Sequence, residues 1–145
     1  KTPKMPVFRG RYETEASTTG ISDLIYSAQE IDVGSCYNPT NGRFTAPVSG
    51  YYYLTAMLGT YKNGSARGLS LRMHVNGGSA KLSADHFLAP APSSNAHAGS
   101  TISGILLLAA NDYVHMSLQS HSSYSFYTYP AEGRGNFSGF LITAT

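Results

Sequence analysis

The side chains that could form a catalytic site are dispersed along this 145-residue chain. Its 8 acidic residues are scattered, and the sequence contains no His-Glu-x-x-His pattern and no Gly-x-Ser-x-Gly motif. Asp85 and His86 are adjacent. Neighbouring residues of a strand point to opposite faces, so these two cannot act together on one substrate. Since a catalytic site needs a nucleophile with a base, paired carboxylates or a metal cluster, we expect a protein that is not an enzyme and requires no cofactor.

Two polar segments combine tyrosines with groups that form hydrogen bonds. Sugar rings present apolar C–H patches beside hydroxyls, so their recognition needs aromatic faces next to polar groups. Arginine also pairs with the carboxylate of sialic acid or the phosphate of lipopolysaccharide. We predict a carbohydrate site formed by loop 60–67 and segment 121–134, with the residues Tyr61, Lys62, Arg67, His121, Tyr124, Tyr127, Tyr129, Glu132 and Arg134. The alternative, that most of these tyrosines contact another subunit, stays open.

Two further side chains are candidates for covalent modification. Cys36 is the single cysteine, which excludes a disulfide within the chain. We expect it to be a partly buried free thiol, and a bridge to another chain is the alternative. Asn63 begins an Asn-x-Ser sequon in a predicted surface loop, which makes it a glycosylation candidate.

The composition favours an extracellular all-β domain. Charged residues make up 12% of the chain, against roughly 25% in an average protein, and polarity comes from Ser, Thr, Asn, Gly and 11 Tyr. The net charge of +2 is too small to argue for nucleic acid or a membrane surface, and no apolar run approaches the ~20 residues of a membrane span. The sequence begins at Lys1 without Met or a signal peptide, so we expect a mature or trimmed secreted chain.

Short strands separated by turns must position these groups. Segment 51–58 alternates buried-type residues with Tyr51 and Tyr53, whose exposed rings need cover. Segment 69–76 also alternates and ends in an Asn-Gly hairpin turn. Segment 101–109 is apolar almost throughout, which predicts a strand buried on both faces.

The whole pattern predicts a β-sandwich or barrel. We expect a loose N-terminus over residues 1–6, followed by one domain over 7–145 with about ten strands and no amphipathic helix. The segments 59–68 and 88–99 are polar and rich in turn residues, so we expect loops there.

The stretch 34–52 carries a family pattern. It contains Gly34-x-x-Tyr37, then Asn38-Pro39-x-x-Gly42-x-Phe44-Thr45-Ala46-Pro47-Val48-x-Gly50-x-Tyr52, and the last strand contains Phe137-Ser138-Gly139-Phe140-Leu141. These residues resemble the signature of the C1q-type globular head, the head domain of complement component 1q and its secreted relatives. The resemblance implies a ten-stranded jelly-roll β-sandwich of the C1q/TNF type that assembles as a homotrimer. Any collagen stalk would lie outside this sequence.

A metal site is left open by the sequence. His74 and His115 fall on polar strand faces, where a solvated or hydrogen-bonded side chain is expected. His86, His97 and His121 are the loop candidates, and one histidine from each subunit of a trimer can supply three converging ligands. Some relatives of the C1q type bind calcium near the trimer apex, although this chain has no Asp-rich loop.

The resemblance, with the absence of catalytic motifs, implies a pattern-recognition lectin of innate immunity. Such a protein binds sialic acid, mannan or lipopolysaccharide type glycans through weak sites that a trimer makes multivalent. Two alternatives remain, a cytokine-like or adaptor ligand for a protein receptor and a structural or matrix head that trimerises a partner chain. We expect the trimer interface to include Tyr51, Tyr53 and Phe140.

Overall fold

The computed structural model describes residues 5–15, 17–64, 67–88, 91–121, 126–128 and 133–145, with the backbone alone at 17–18, 62–64, 67, 88, 91–96 and 126. Within them the chain forms thirteen strands: β1 Val7–Arg11, β2 Ser17–Thr18, β3 Ile21–Leu24, β4 Ala28–Val33, β5 Tyr37–Asn38, β6 Arg43–Thr45, β7 Gly50–Gly64, β8 Arg67–Val75, β9 Ala80–Leu88, β10 Ala91–Leu108, β11 Tyr113–Ser120, β12 Phe126–Thr128 and β13 Gly135–Ala144. Among the described residues there is no helix long and apolar enough to cross a membrane.

The strands form two antiparallel sheets. Sheet A is ordered β2-β12-β7-β13-β1-β4, and β10 pairs along the other edge of β7. Sheet B is ordered β5-β6-β11-β8-β9, and β3 pairs with β11 beside β6. This arrangement confirms the predicted all-β jelly roll, with more strands than expected because several short segments also pair.

The core lies between the two sheets because strand residues alternate between faces. The even-numbered side chains of β7 from Tyr52 to Leu58 are buried, as the sequence predicts. Sheet B faces them with the buried side chains Leu69, Leu71, Met73, Val114, Met116 and Leu118.

Four aromatic rings join the sheets around Phe8 of β1. Its ring stacks on Phe44 at 4.6 Å and on Tyr37 at 5.2 Å, and it meets Phe137 edge-on at 4.8 Å. Such pairs contribute about 0.5–1.5 kcal/mol each beyond the burial of their area. Three of these four rings, Tyr37, Phe44 and Phe137, belong to the family pattern, which therefore contributes to the centre of the core.

Three local predictions were wrong. The expected loops 59–68 and 88–99 belong largely to strands, because β7 extends to Gly64 and β10 begins at Ala91, and the two pair there. Backbone hydrogen bonds form this ladder whatever the side chains are, so a loop-like composition did not prevent it. Segment 101–109 is not buried on both faces, since Ile105 and Leu107 are each 61% exposed.

The predicted loose N-terminus, residues 1–6, is described by the structure only in part. Residues 1–4 lie outside the described residues, but Pro6 is buried and its carbonyl oxygen accepts a hydrogen bond from the Leu141 amide at 3.1 Å.

Cys36 is a free thiol at 3% exposure, and its Sγ lies 3.4 Å from Asp32 Oδ1. Burial is the main reason why the pKa of this thiol is raised to about 12, and the hydrogen bond with Asp32 adds to the rise. The structure therefore favours the free thiol over a bridge between chains.

Candidate functional site

A row of aromatic rings crosses the outer face of sheet A, near the end of β7 remote from Gly50. Tyr61 of β7 pairs in register with Tyr127 of β12 on one side and with His97 of β10 on the other. The two tyrosine rings stack at 5.1 Å with an interplanar angle of 17°, and the His97 ring lies 5.6 Å from Tyr61. The Tyr61 hydroxyl donates a hydrogen bond to the exposed carboxylate of Glu15. Tyr61, Tyr127 and His97 form what we call the aromatic ledge.

Arg134 lies close to the aromatic ledge. It is exposed and precedes β13, and its carbonyl oxygen accepts a hydrogen bond from the amide of Gly59. Gly59 is two residues before Tyr61 on the same face of β7. A surface depression of about 130 Å³ is lined by Arg134, Met57, Leu58, Gly59, Ala98, Gly99, Ser100 and Thr101. Of the predicted carbohydrate residues, Tyr61 and Tyr127 are therefore in ring contact, and the backbone of Arg134 lies next to the same part of β7.

His121 lies on the other sheet. It follows β11, and its amide donates to the carbonyl oxygen of Gly68 at 2.9 Å. Its Nε2 forms a hydrogen bond with Ser70 Oγ, and the Ser70 hydroxyl donates to the carboxylate of Asp85. This trio is not a catalytic triad, because the serine stands between the other two groups and is 1% exposed. The structure thus separates His121 from the aromatic ledge.

The remaining predicted carbohydrate residues have no described side chains. Lys62 and Asn63 lie in β7 and Arg67 in β8, so the predicted loop 60–67 and the loop position of the sequon are corrected. Tyr124, Tyr129 and Glu132 lie outside the described residues.

The outer face of sheet A is apolar along its middle. Tyr53 pairs in register with Ile105 on one side and Phe140 on the other, and the Tyr53 and Phe140 rings are 5.6 Å apart. Tyr51 pairs with Leu107 in the same way. The exposed fractions are 43% for Tyr51, 42% for Phe140 and 43% for Ile31. We call the set Ile31, Tyr51, Tyr53, Ile105, Leu107 and Phe140 the apolar face, and it contains all three predicted interface residues.

The outer face of sheet B is polar around the strand pair β8 and β11. His74 stacks on His115 with their ring centroids 4.9 Å apart, and His74 is hydrogen-bonded to Gly78 O at 2.9 Å and Ser117 Oγ at 2.8 Å. Burial lowers the pKa of His115, and Asp23, 3.7 Å away, opposes that shift. His74 is hydrogen-bonded as expected, whereas His115 Nδ1 is buried without a hydrogen-bond partner among the described residues.

The described histidines do not assemble a metal centre. His86 is on β9, not in a loop, and its ring points between the sheets, where Nε2 lies 3.0 Å from Thr60 Oγ1 and Nδ1 is hydrogen-bonded to Ser100. Among the described residues no three or more His, Cys, Asp or Glu side chains are grouped so that they could hold a metal ion.

Four residues near these sites were not predicted to bind carbohydrate: Glu15 and His97 at the aromatic ledge, and Asp85 and Phe87 near His121. No spacing in the sequence connects these residues to their neighbours. The registers of β7 with β10 and of β8 with β9 position His97, Asp85 and Phe87, and a hydrogen bond joins Glu15 to Tyr61.

The comparisons with known proteins agree with the fold. The family model of the C1q domain matches residues 8–142. The structure resembles the globular domain of a zebrafish complement 1qA protein, with a TM-score of 0.58 and 17% sequence identity over 97% of this chain and 99% of the other. At this identity the likeness shows the fold alone. A search of curated protein sequences gave no match.

Proposed function

Because the chain belongs to the C1q domain family, we propose that it is a secreted, trimeric pattern-recognition lectin of innate immunity. Proteins of this family are typically innate immune or trimeric ligand proteins, and they are generally not enzymes. The observation that carries the proposal is the contrast between the two outer faces of the sandwich: sheet A has a contiguous apolar patch, and sheet B has hydrogen-bonding side chains around His74 and His115.

The apolar face supports assembly through sheet A. Soluble monomers rarely expose contiguous apolar patches of large area, so such a patch usually marks an interface. Full burial of an exposed leucine or isoleucine side chain favours association by about 1.5–3 kcal/mol. Ile105 and Leu107, each 61% exposed and adjacent to tyrosine rings, therefore supply a strong driving force for association.

The aromatic ledge supports carbohydrate binding. Its stacked tyrosine rings offer a flat apolar surface, the Glu15 carboxylate lies beside them, and the backbone of Arg134 is hydrogen-bonded to Gly59, two residues from Tyr61. Tyr61 lies ten residues along β7 from Tyr51, which corresponds to about 33 Å of extended strand. A trimer that packs through the apolar face would therefore hold the ledge of each subunit at its rim.

The test combines glycan binding with the measurement of mass. The protein is applied to an array of sialylated glycans, mannan and lipopolysaccharide, with and without a chelator, and its mass is measured by light scattering. We expect saturable binding by a particle of three times the 15.5 kDa chain mass. Loss of binding with chelator would add a metal to the site.

Matched variants locate the site. Tyr127→Ala should weaken binding about tenfold, because it removes half of the stacked pair. Tyr113→Ala, at another half-buried tyrosine on sheet B, should leave it unchanged. An intact trimer that binds no glycan would overturn the lectin proposal and favour a ligand for a protein receptor.

A further inference from the structure

A second polar depression lies on the outer face of sheet B. It forms where β8 begins, β9 ends and the chain leaves β11, and its volume is about 300 Å³. Gly68 pairs in register with Phe87, and Ser70 with Asp85. We call it the Phe87 depression, and its lining residues are Gly68, Leu69, Asp85, His86, Phe87 and His121.

The aromatic ring of this depression is open to solvent. Phe87 is the most exposed large hydrophobic side chain among the described residues, at 67%. Its partner across the strands is Gly68, which has no side chain to cover the ring. A Cβ built on Gly68 would lie 3.6 Å from His121 Cβ, an ordinary van der Waals contact. The gap above Gly68 therefore has room for part of a ligand.

The hydrogen bonds of Ser70 determine which atoms of Asp85 and His121 can accept hydrogen bonds from a ligand. An ionised Asp85 can only accept, so the single hydroxyl proton of Ser70 goes to the carboxylate. Ser70 Oγ must then accept from His121, which places a proton on Nε2. In the neutral ring, Nδ1 is consequently an acceptor. Among the residues that line the depression, Asp85 and a neutral His121 thus each carry an atom that can accept a hydrogen bond.

We propose that the Phe87 depression binds a neutral sugar ring, with Phe87 against its C–H face and Asp85 and His121 accepting from two of its hydroxyl groups. This inference rests on the proposed lectin function and names the ligand class of one of its sites. A sialic acid carboxylate or a lipid phosphate would meet the Asp85 carboxylate and be repelled. A primary ammonium group carries three N–H donors and could also pair with Asp85, so glucosamine is included as a competitor to distinguish a cationic ligand from a neutral one. Among sialic acid, mannan and lipopolysaccharide, the site therefore selects mannan.

The position of the depression suits multivalent binding. It lies on sheet B, and the apolar face lies on sheet A. A trimer that buries the apolar face leaves three such depressions exposed, so a polymer of mannose can occupy several at once.

The test measures binding to immobilised mannan, with methyl mannoside, sialyllactose and glucosamine as competitors. Phe87→Ala and Asp85→Asn should each weaken binding at least tenfold. Gly68→Ala should weaken it less, because one methyl group fills part of the gap. Ile21→Ala removes another exposed apolar side chain, 63% exposed on the same sheet, and should leave binding unchanged.

The possible results separate the two proposals. Competition by methyl mannoside alone, lost in Phe87→Ala, supports the depression as a neutral-sugar site. Mannan binding that survives Phe87→Ala, Asp85→Asn and Gly68→Ala overturns the inference and leaves the lectin function standing. Stronger competition by glucosamine than by methyl mannoside also overturns it, in favour of a cationic ligand. If the wild-type trimer binds no glycan at all, the proposed function itself fails. Circular dichroism checks each fold, and Gly68→Ala keeps the test decisive if Phe87→Ala does not fold.

Discussion

Asp85 and His86 are neighbours on β9, and their side chains point to opposite faces of sheet B. The carboxylate points outward to Ser70, and the imidazole points between the sheets to Thr60 and Ser100. The His86 ring thus joins β9 of sheet B to β7 and β10 of sheet A. Burial lowers the pKa of His86, and the nearby Asp85 charge raises it by a smaller amount. The folded state therefore favours the neutral ring.

This lowered pKa makes stability depend on pH on the acid side. An unfolded histidine has a pKa of about 6.5, so below that pH the unfolded chain binds more protons than the folded one. The stabilisation is present above about pH 6.5 and is lost as the pH falls toward the folded value. We expect the free energy of unfolding in urea to decline between pH 7.5 and pH 5. His86→Gln should cost about 1–2 kcal/mol at pH 7.5 and flatten this decline.

The control for this measurement is Lys81→Gln, which removes an exposed cation from the same strand. It should leave the slope unchanged. Because burial also lowers the pKa of His115, a smaller decline should persist in His86→Gln. Parallel curves for the wild type and His86→Gln would show that His86 does not cause the pH dependence.

Strands and turns mark what the sequence could and could not predict. The faces of β7, β8 and β11 followed from alternation, and the hairpin turn followed from Asn76-Gly77, whose φ values of 53° and 70° are positive. The exposed face of β10 could not be foreseen, because apolar residues that await a partner look the same in sequence as those of a core. The aromatic ledge joins Tyr61 to Tyr127, which is distant from it in the sequence, and only the strand register brings the two together.

Two glycines with positive φ allow two effects of an added Cβ on stability to be measured separately, namely backbone strain and steric clash. Gly42 has φ +67°, and a Cβ there would lie 2.8 Å from Leu24 O and 3.0 Å from Ile25 Cα. Gly20 has φ +71° with nothing within 4 Å. We expect Gly20→Ala to lower the free energy of unfolding by about 1 kcal/mol, and Gly42→Ala by about 3 kcal/mol. Urea unfolding at one fixed protein concentration measures both, and equal losses would contradict the close approach of the backbone to Gly42.

The whole molecule is a sandwich with two unlike outer surfaces. The net charge of +2 and the 12% of charged residues give little long-range electrostatic force, so association has to rely on apolar contact. That contact is available on sheet A, whereas sheet B presents hydrogen-bonding side chains around His74 and His115. Packing through the apolar face of sheet A is therefore compatible with recognition at the Phe87 depression of sheet B and at the aromatic ledge beyond the apolar face, and each glycan site alone can remain weak.

One pair of variants tests this division of labour. Leu107→Asp puts a carboxylate in the apolar face beside Tyr51, where association would bury it without a partner and bring it close to its copies. Ile21→Asp makes the same change at a side chain that is 63% exposed, against 61% for Leu107, but on sheet B. At micromolar concentration we expect light scattering to return 15.5 kDa for Leu107→Asp and three times that mass for Ile21→Asp. The monomeric variant should keep its affinity for methyl mannoside and lose about 10- to 100-fold on mannan, because only multivalency has been removed. A trimeric Leu107→Asp, or a monomeric Ile21→Asp, would place the subunit interface away from the apolar face.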